Sequence, residues 1–202
     1  MPRKPRVDEA DSFHHVSART TGDEHLFGGS ADRLEFMRQL GLAVRRHGWH
    51  CQAYCLMGSH FHLILYTPQP TLSAGMARLC SRYAQWFNWK YARNGHLFAH
   101  RFSSQHITSD EHLFAAHRYV ALNPVTAGQC SDPAGWRWGS YRALAWLAAP
   151  PEFLDVAAVY DLFCPRHNEA RRAYRALVLS GAEGLGSDPA GVRPQQFRSA
   201  RL

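Results

Sequence analysis

Two-residue alternation and repeats of three to four residues divide this chain into blocks. Ser12 to Arg19 (SFHHVSAR) alternates as a strand does, with His15, Ser17 and Arg19 on one side and His14, Val16 and Ala18 on the other. Thr20 to Ser30 is polar and glycine-rich, which predicts a loop. Ser30 is of a helix-capping type, and from there to about His47 the residues Leu34, Met37, Leu40 and Val44 recur at amphipathic-helix spacing. Arg45, Arg46 and His47 suit the negative end of that helix dipole, and Gly48 ends it. Two apolar, strand-favouring runs follow, His50 to Met57 and His60 to Thr67, joined by the two-residue turn Gly58-Ser59. Thr67-Pro-Gln-Pro70 breaks the second run. Thr71 to about Arg93 is a long helix with Leu72, Met76, Leu79, Tyr83, Trp86 and Phe87 on its packed face, closed by Asn94-Gly95. Phe102 to Thr108 is another strand. Asp110 caps a helix to about Leu122, where Asn123-Pro124 stops it, because proline disfavours helical geometry in the residue before it. Trp136, Trp138 and Tyr141 then cluster near Ser140, and Asn168 to Ser180 forms one more helix.

The order is strand, helix, strand, strand, helix, strand, helix. Its first six elements match a split βαββαβ unit: an α+β, ferredoxin-like antiparallel sheet with helices on one face, followed by one further helix. A length of 202 residues suits a single domain with a sizeable core. Residues 1–11 are expected to be a flexible basic arm, 12–145 the folded domain, and 146–202 a helical C-terminal extension ending in a disordered Gly/Pro/Arg tail.

Charge narrows the choice of partner. The formal net charge is +7, nearly all the cations are Arg, and 12% of residues are aromatic. Guanidinium groups bind phosphate with two parallel hydrogen bonds and stack on bases, so this balance points to a nucleic-acid partner, against a generic basic soluble protein. Five cysteines without a CxxC pair indicate neither a disulfide framework nor a cysteine-based zinc site, and a reducing, cytoplasmic compartment is expected. No apolar run approaches the ~20 residues of a membrane span, and Met1 to Arg6 is not followed by the apolar stretch of a secretory signal.

Two stretches carry candidate chemistry. His60 and His62 fall on one face of their strand, while Phe61, Leu63 and Leu65 take the other. Two imidazoles so placed can grip one divalent cation; the competing reading is a pair of satisfied, half-exposed histidines. Cys55 lies across the hairpin from His62 and reads as a small residue flooring that face. Tyr119 and Asn123 lie one turn apart on the last helix of the folded domain. Should that helix pack over the histidine strand, the imidazoles and the Asn123 carbonyl oxygen would hold a cation. The Tyr119 hydroxyl would then face the phosphate that the cation polarises. Taken alone, Tyr119 reads rather as a packed helix tyrosine.

The motifs Leu56-Met-Gly-Ser-His-Phe-His62, Ser81-Arg-Tyr-Ala-Gln-Trp-Phe-Asn88, Gly95-His-Leu-Phe-Ala-His-Arg-Phe102, Arg118-Tyr-Val-Ala-Leu-Asn-Pro-Val-Thr-Ala-Gly128 and Trp138-Gly-Ser-Tyr141 occur in that order. In them the chain resembles the single-tyrosine HUH transposases, and most closely the REP-associated tyrosine transposases, over roughly residues 12 to 145. The segment from Phe153 to Gly181 is similar to the tail of longer members. The resemblance implies a metal-dependent single-stranded DNA endonuclease and strand-transferase acting on hairpin, REP-like DNA. It implies His60 and His62 as ligands of Mg²⁺ or Mn²⁺, Asn123 as third ligand and Tyr119 as nucleophile. The product implied is a 5′-phosphotyrosine with a free 3′-OH. A bacterial, nucleoid-associated location and a monomer or homodimer go with it. Gly58-Ser59 departs from the commoner Pro-Asn turn, which should alter only the hairpin. On the strength of the matching segment Arg101 is expected to reach a phosphate, with Arg78, Arg82, Arg93 and Arg6 as further DNA contacts. Two alternatives stay open: a catalytically silent single-strand-binding protein of the same fold, and an RNA-binding module, for which the histidine face supplies no obvious set of stacking aromatics.

Overall fold

The structure is a computed structural model and describes residues 8–21, 25–164 and 166–182. Strand β1 (Ser12–Arg19) leads into helix α1 (Ser30–His47), and the hairpin β2 (His50–Leu56) and β3 (His60–Thr67) follows. Helix α2 (Leu72–Lys90), strand β4 (Ser103–Ile107) and helix α3 (Asp110–Thr126) complete the main fold. The strands form one antiparallel sheet in the order β2-β3-β1-β4, as the split βαββαβ pattern requires. Short helices α4 (Tyr141–Leu144) and α5 (Val156–Asp161), which no sequence period announces, precede α6 (His167–Ala182).

The alternation of β3 divides two cores. Phe61, Leu63 and Leu65 join Phe36, Leu40 and Val44 of α1 and Met76, Leu79, Tyr83 and Phe87 of α2. On the opposite face Ile64 joins Ala53, Cys55 and Met57 of the β2 side, and Leu113, Ala116 and Val120 of α3. So α1 and α2 cover one face of the sheet, and α3 covers the other. The buried stripe of α1 is shifted from the expected one: Phe36, Leu40, Ala43 and Val44 face inward, and Leu34 is 57% exposed. Asp32, fully buried at the first turn, takes the inward place one turn ahead of Phe36. Its carboxylate accepts from Lys90, from the Tyr91 hydroxyl at 2.8 Å and from the Gly29 N–H at 2.8 Å, tying the start of α1 to the end of α2.

Helix ends follow backbone handedness more than residue type. Gly29 and Ser109 are the N-caps, each one residue before the expected Ser30 and Asp110, and the Ser109 hydroxyl accepts from the His112 N–H at 3.2 Å. Helix α2 ends before Arg93 because Ala92 adopts a left-handed φ of 48°, letting Arg93 N–H reach back to the Asn88 carbonyl at 2.9 Å. Pro124 does not stop α3. A proline in the last turn removes one donor, and termination waits for left-handed Gly128, where Gln129 N–H reaches the Pro124 carbonyl at 2.8 Å.

The hairpin turn is supported from outside. Neither Gly58 nor Ser59 has left-handed backbone, so the turn is not of the primed kind a Gly-X pair favours. Instead the Ser59 carbonyl accepts from the Thr20 N–H at 2.9 Å and the Gly58 carbonyl from the Phe27 N–H at 3.0 Å. The free edge of β2 is covered by the segment holding Trp138 and Ser140. Leu56 N–H donates to the Trp138 carbonyl and Ser140 N–H to the Tyr54 carbonyl, each at 2.9 Å. A bulge between Cys51 and Ala53 gives Gln52 room to meet His117 of α3 at 3.4 Å.

Two predictions follow from this packing. A Cβ at Gly75 would run into the Trp49 ring, which is buried and held by a 3.0 Å hydrogen bond to Thr71. Gly75→Ala should therefore lower stability by about 1–3 kcal/mol in urea unfolding despite its better helix propensity, and Trp49→Leu on that background should lose less than the sum of the two single changes. His117 is wholly buried against α6, and burial pushes its imidazole down to about 4. The unfolded ring protonates near 6.5, so stability held above that pH drains as pH falls toward 4. This ring's share is on the order of 3 kcal/mol at most, and His117→Gln should flatten the pH slope of the urea midpoint in that window.

Candidate active site

The site grows out of the register of β3. His62 pairs across with Ser17 of β1 and Cys55 of β2, and His60 pairs with Arg19. Both imidazoles thus leave the sheet on the α3 face, with their ring centroids 5.1 Å apart and their planes at 85°. Helix α3 lies over them because Leu113, Ala116 and Val120 fill the second core, which aims the adjacent stripe of Tyr119 and Asn123 at the histidines. The Tyr119 ring stands edge-on to His62 with centroids 5.2 Å apart, and its hydroxyl is hydrogen-bonded to the Asn123 side chain. Asn123 Oδ1 is in turn 3.4 Å from His60 Nε2. Four side chains from two elements therefore meet at one point.

Burial sets the electrostatics. It lowers the pKa of His60, partly offset by Asn123, and with the neighbouring imidazoles it lowers that of His62 well below the ordinary value. Both rings are neutral at pH 7 and keep a lone pair for a cation. Burial raises the Tyr119 hydroxyl, while the Asn123 hydrogen bond pulls the other way, so the phenol is protonated at neutral pH.

The donor set fits a hard or borderline cation. Among the described residues no three His, Cys, Asp or Glu side chains form a cluster able to hold an ion, so the ligands on offer are two imidazoles and an amide oxygen. His60 Nε2 lies 3.4 Å from Asn123 Oδ1 and donates to it, so both atoms could meet one cation once the ring carries its proton on Nδ1 instead. Cys55 floors the site as expected. It is 1% exposed, its sulfur lies 3.6 Å from that of Met57, and burial holds its thiol protonated.

Other expected residues lie apart. Arg101 is exposed just before β4 and lines a groove of about 920 Å³ with Ser81, Gln85 and Asn88 of α2. Its loop runs beside the site, since Ala99 N–H donates to the carbonyl of Arg19, the partner of His60. Arg78 and Arg82 line a cleft of about 340 Å³ with Arg38 and Arg46 of α1, on the helices that cover the opposite face of the sheet. Arg93 follows α2, its guanidinium 5.7 Å from the Phe87 ring centre. Arg6 lies outside the described residues.

Two residues at the site were not singled out from sequence. Arg19 is exposed beside His60, whose titration feels its charge. His15 Nε2 lies 3.0 Å from His62 Nδ1, the two rings stacked with centroids 5.1 Å apart. Their common side of β1 was readable from alternation. What placed that side against the histidine strand was the β1–β3 register, which no local period reveals.

No family model matches the chain, and no curated protein matches it. The fold is similar to the solved structure of a REP-associated tyrosine transposase bound to a REP hairpin, with a TM-score of 0.64 over 75% of this chain and 89% of that one, at 13% identity.

Proposed function

We propose that this chain is a metal-dependent single-strand DNA endonuclease and strand-transferase that acts on hairpin-forming DNA through a covalent phosphotyrosine at Tyr119. One observation carries the reading: a phenol, an amide oxygen and two neutral imidazoles meet over one face of a basic protein's sheet. The hairpin substrate is drawn from the structural neighbour, which was solved with a REP hairpin.

His60, His62 and Asn123 would hold Mg²⁺ or Mn²⁺, which supplies charge withdrawal from the non-bridging phosphate oxygens. Arg19, exposed beside His60, and Arg101, whose loop is bonded to the Arg19 carbonyl, would bind phosphates of the same strand. Tyr119 Oη attacks the phosphorus in line with the bond to the 3′ oxygen. The P–O3′ bond breaks as the P–Oη bond forms, the phenol proton is given up, and the departing 3′ oxygen takes one. The 5′ side stays on Tyr119 as a phosphodiester. Because the bond energy is conserved, a second 3′-OH can reverse the step and join a new strand without ATP. The edge-on packing of Tyr119 against His62 and His15 limits the ring to a narrow swing, favourable for in-line attack.

Two tests follow. A 5′-labelled and a 3′-labelled single-stranded hairpin oligonucleotide, incubated with Mn²⁺, should give a denaturation-resistant protein adduct carrying only the 3′-labelled fragment. Tyr119→Phe should abolish that adduct; an adduct that persists in the Phe chain would remove Tyr119 from the role. Arg19→Ala and Arg101→Ala should each lower the slope of log affinity against log salt by about 0.7 for single-stranded DNA. Unchanged slopes in fluorescence anisotropy would place the phosphates elsewhere.

A further inference from the structure

We infer that His15 is a positioning residue that accepts the Nδ1 proton of His62 and so leaves the His62 Nε2 lone pair free to bind a cation. This rests on the reading of His60 and His62 as metal ligands given above.

The count of protons on a neutral imidazole fixes what each nitrogen can do. Each ring has one N–H and one lone pair, and which nitrogen carries the proton is set by what the other nitrogen meets. His15 Nε2 and His62 Nδ1 are 3.0 Å apart, so one of them donates to the other. If His15 donates, His62 must carry its proton on Nε2, and that nitrogen cannot ligate. If His62 donates, Nε2 is bare. Only the second arrangement makes a ligand of His62.

His15 sits in the middle of β1, paired with Gln105 of β4 and Ile64 of β3. Its ring is stacked on His62 and held edge-on by Tyr119, 5.5 Å between centroids. His112 in the first turn of α3 is the other titratable group that acts on it. Fixed between strand neighbours and helix, the ring sets both the rotation and the tautomer of His62 through a single hydrogen bond. Outer-shell partners of this kind govern ligand orientation and basicity, and removing one costs about 10- to 100-fold in metal affinity.

The experiment uses the full chain without DNA. Mn²⁺ binding is measured by electron paramagnetic resonance for the unaltered chain, His15→Leu and His15→Gln. Leu fills the space but accepts no hydrogen bond; Gln offers an amide oxygen at similar reach. The expected result is a loss of about 10- to 100-fold in Leu and recovery to within a few-fold in Gln. Equal affinity in Leu, or an equal loss in Leu and Gln, overturns the role of His15 and leaves the nuclease reading standing. Absence of Mn²⁺ binding by the unaltered chain overturns the metal reading and this inference with it. Long-range ¹H–¹⁵N spectra of the unaltered, metal-free chain need no variant to fold: His62 should appear as the Nδ1–H tautomer, and the Nε2–H tautomer overturns the inference.

Discussion

Everything at the site hangs on the two-residue period of β3. Odd-numbered Phe61, Leu63 and Leu65 are wholly buried beneath α1 and α2, which pins the strand's rotation. Even-numbered His60, His62 and Ile64 must then face α3. A slip of one residue would bury two imidazoles in an apolar core and set three large hydrophobes in their place under α3, so the register is enforced by burial on the side away from the histidines. Ile64 works on the chemical side too, because it packs in the smaller core that seats α3.

The tyrosine helix is held from both sides. Its inner face rests on the sheet, and its outer side meets α6, where Tyr174 is 1% exposed and stands edge-on to His117. The bulge in β2 supplies Gln52 as the polar partner of His117. The C-terminal helix therefore packs behind the element that presents Tyr119 and Asn123, and it shares the larger core with the sheet through Ala170, Tyr174 and Val178. A side chain on a helix braced in this way is placed more accurately than one on a loop.

Much of this was legible in the residues. The limits of β1 and β3 and the stop of α1 at Gly48 coincide with their patterns, because alternation and a left-handed glycine are local signals. The shared face of His60 and His62, and that of Tyr119 and Asn123, were legible for the same reason. Errors arose where tertiary contacts outweigh local preference. Leu34 looked internal but lost that place to Phe36 and the buried Asp32, whose partners come from α2. Pro124 looked like a stop, yet so near the end of α3 it costs a single backbone bond. The hairpin turn obtained its support from Thr20 and Phe27, far off in sequence. His15 belonged to a visible pattern but acquired meaning only when β1 was laid against β3.

The two margins of the sheet are not equivalent. Along β2, the backbone groups that would welcome another strand are already occupied by Trp138 and Ser140, with Asp155 N–H on the Cys51 carbonyl at 2.8 Å. At the other margin, β4 is five residues long and mostly exposed, with Ser103, Gln105 and His106 turned to solvent. Among the described residues no strand pairs with the outer side of β4, so growth of the sheet by strand addition would be confined to that margin, across β1 from the imidazoles. A short, polar rim of this kind discourages indiscriminate edge-to-edge stacking.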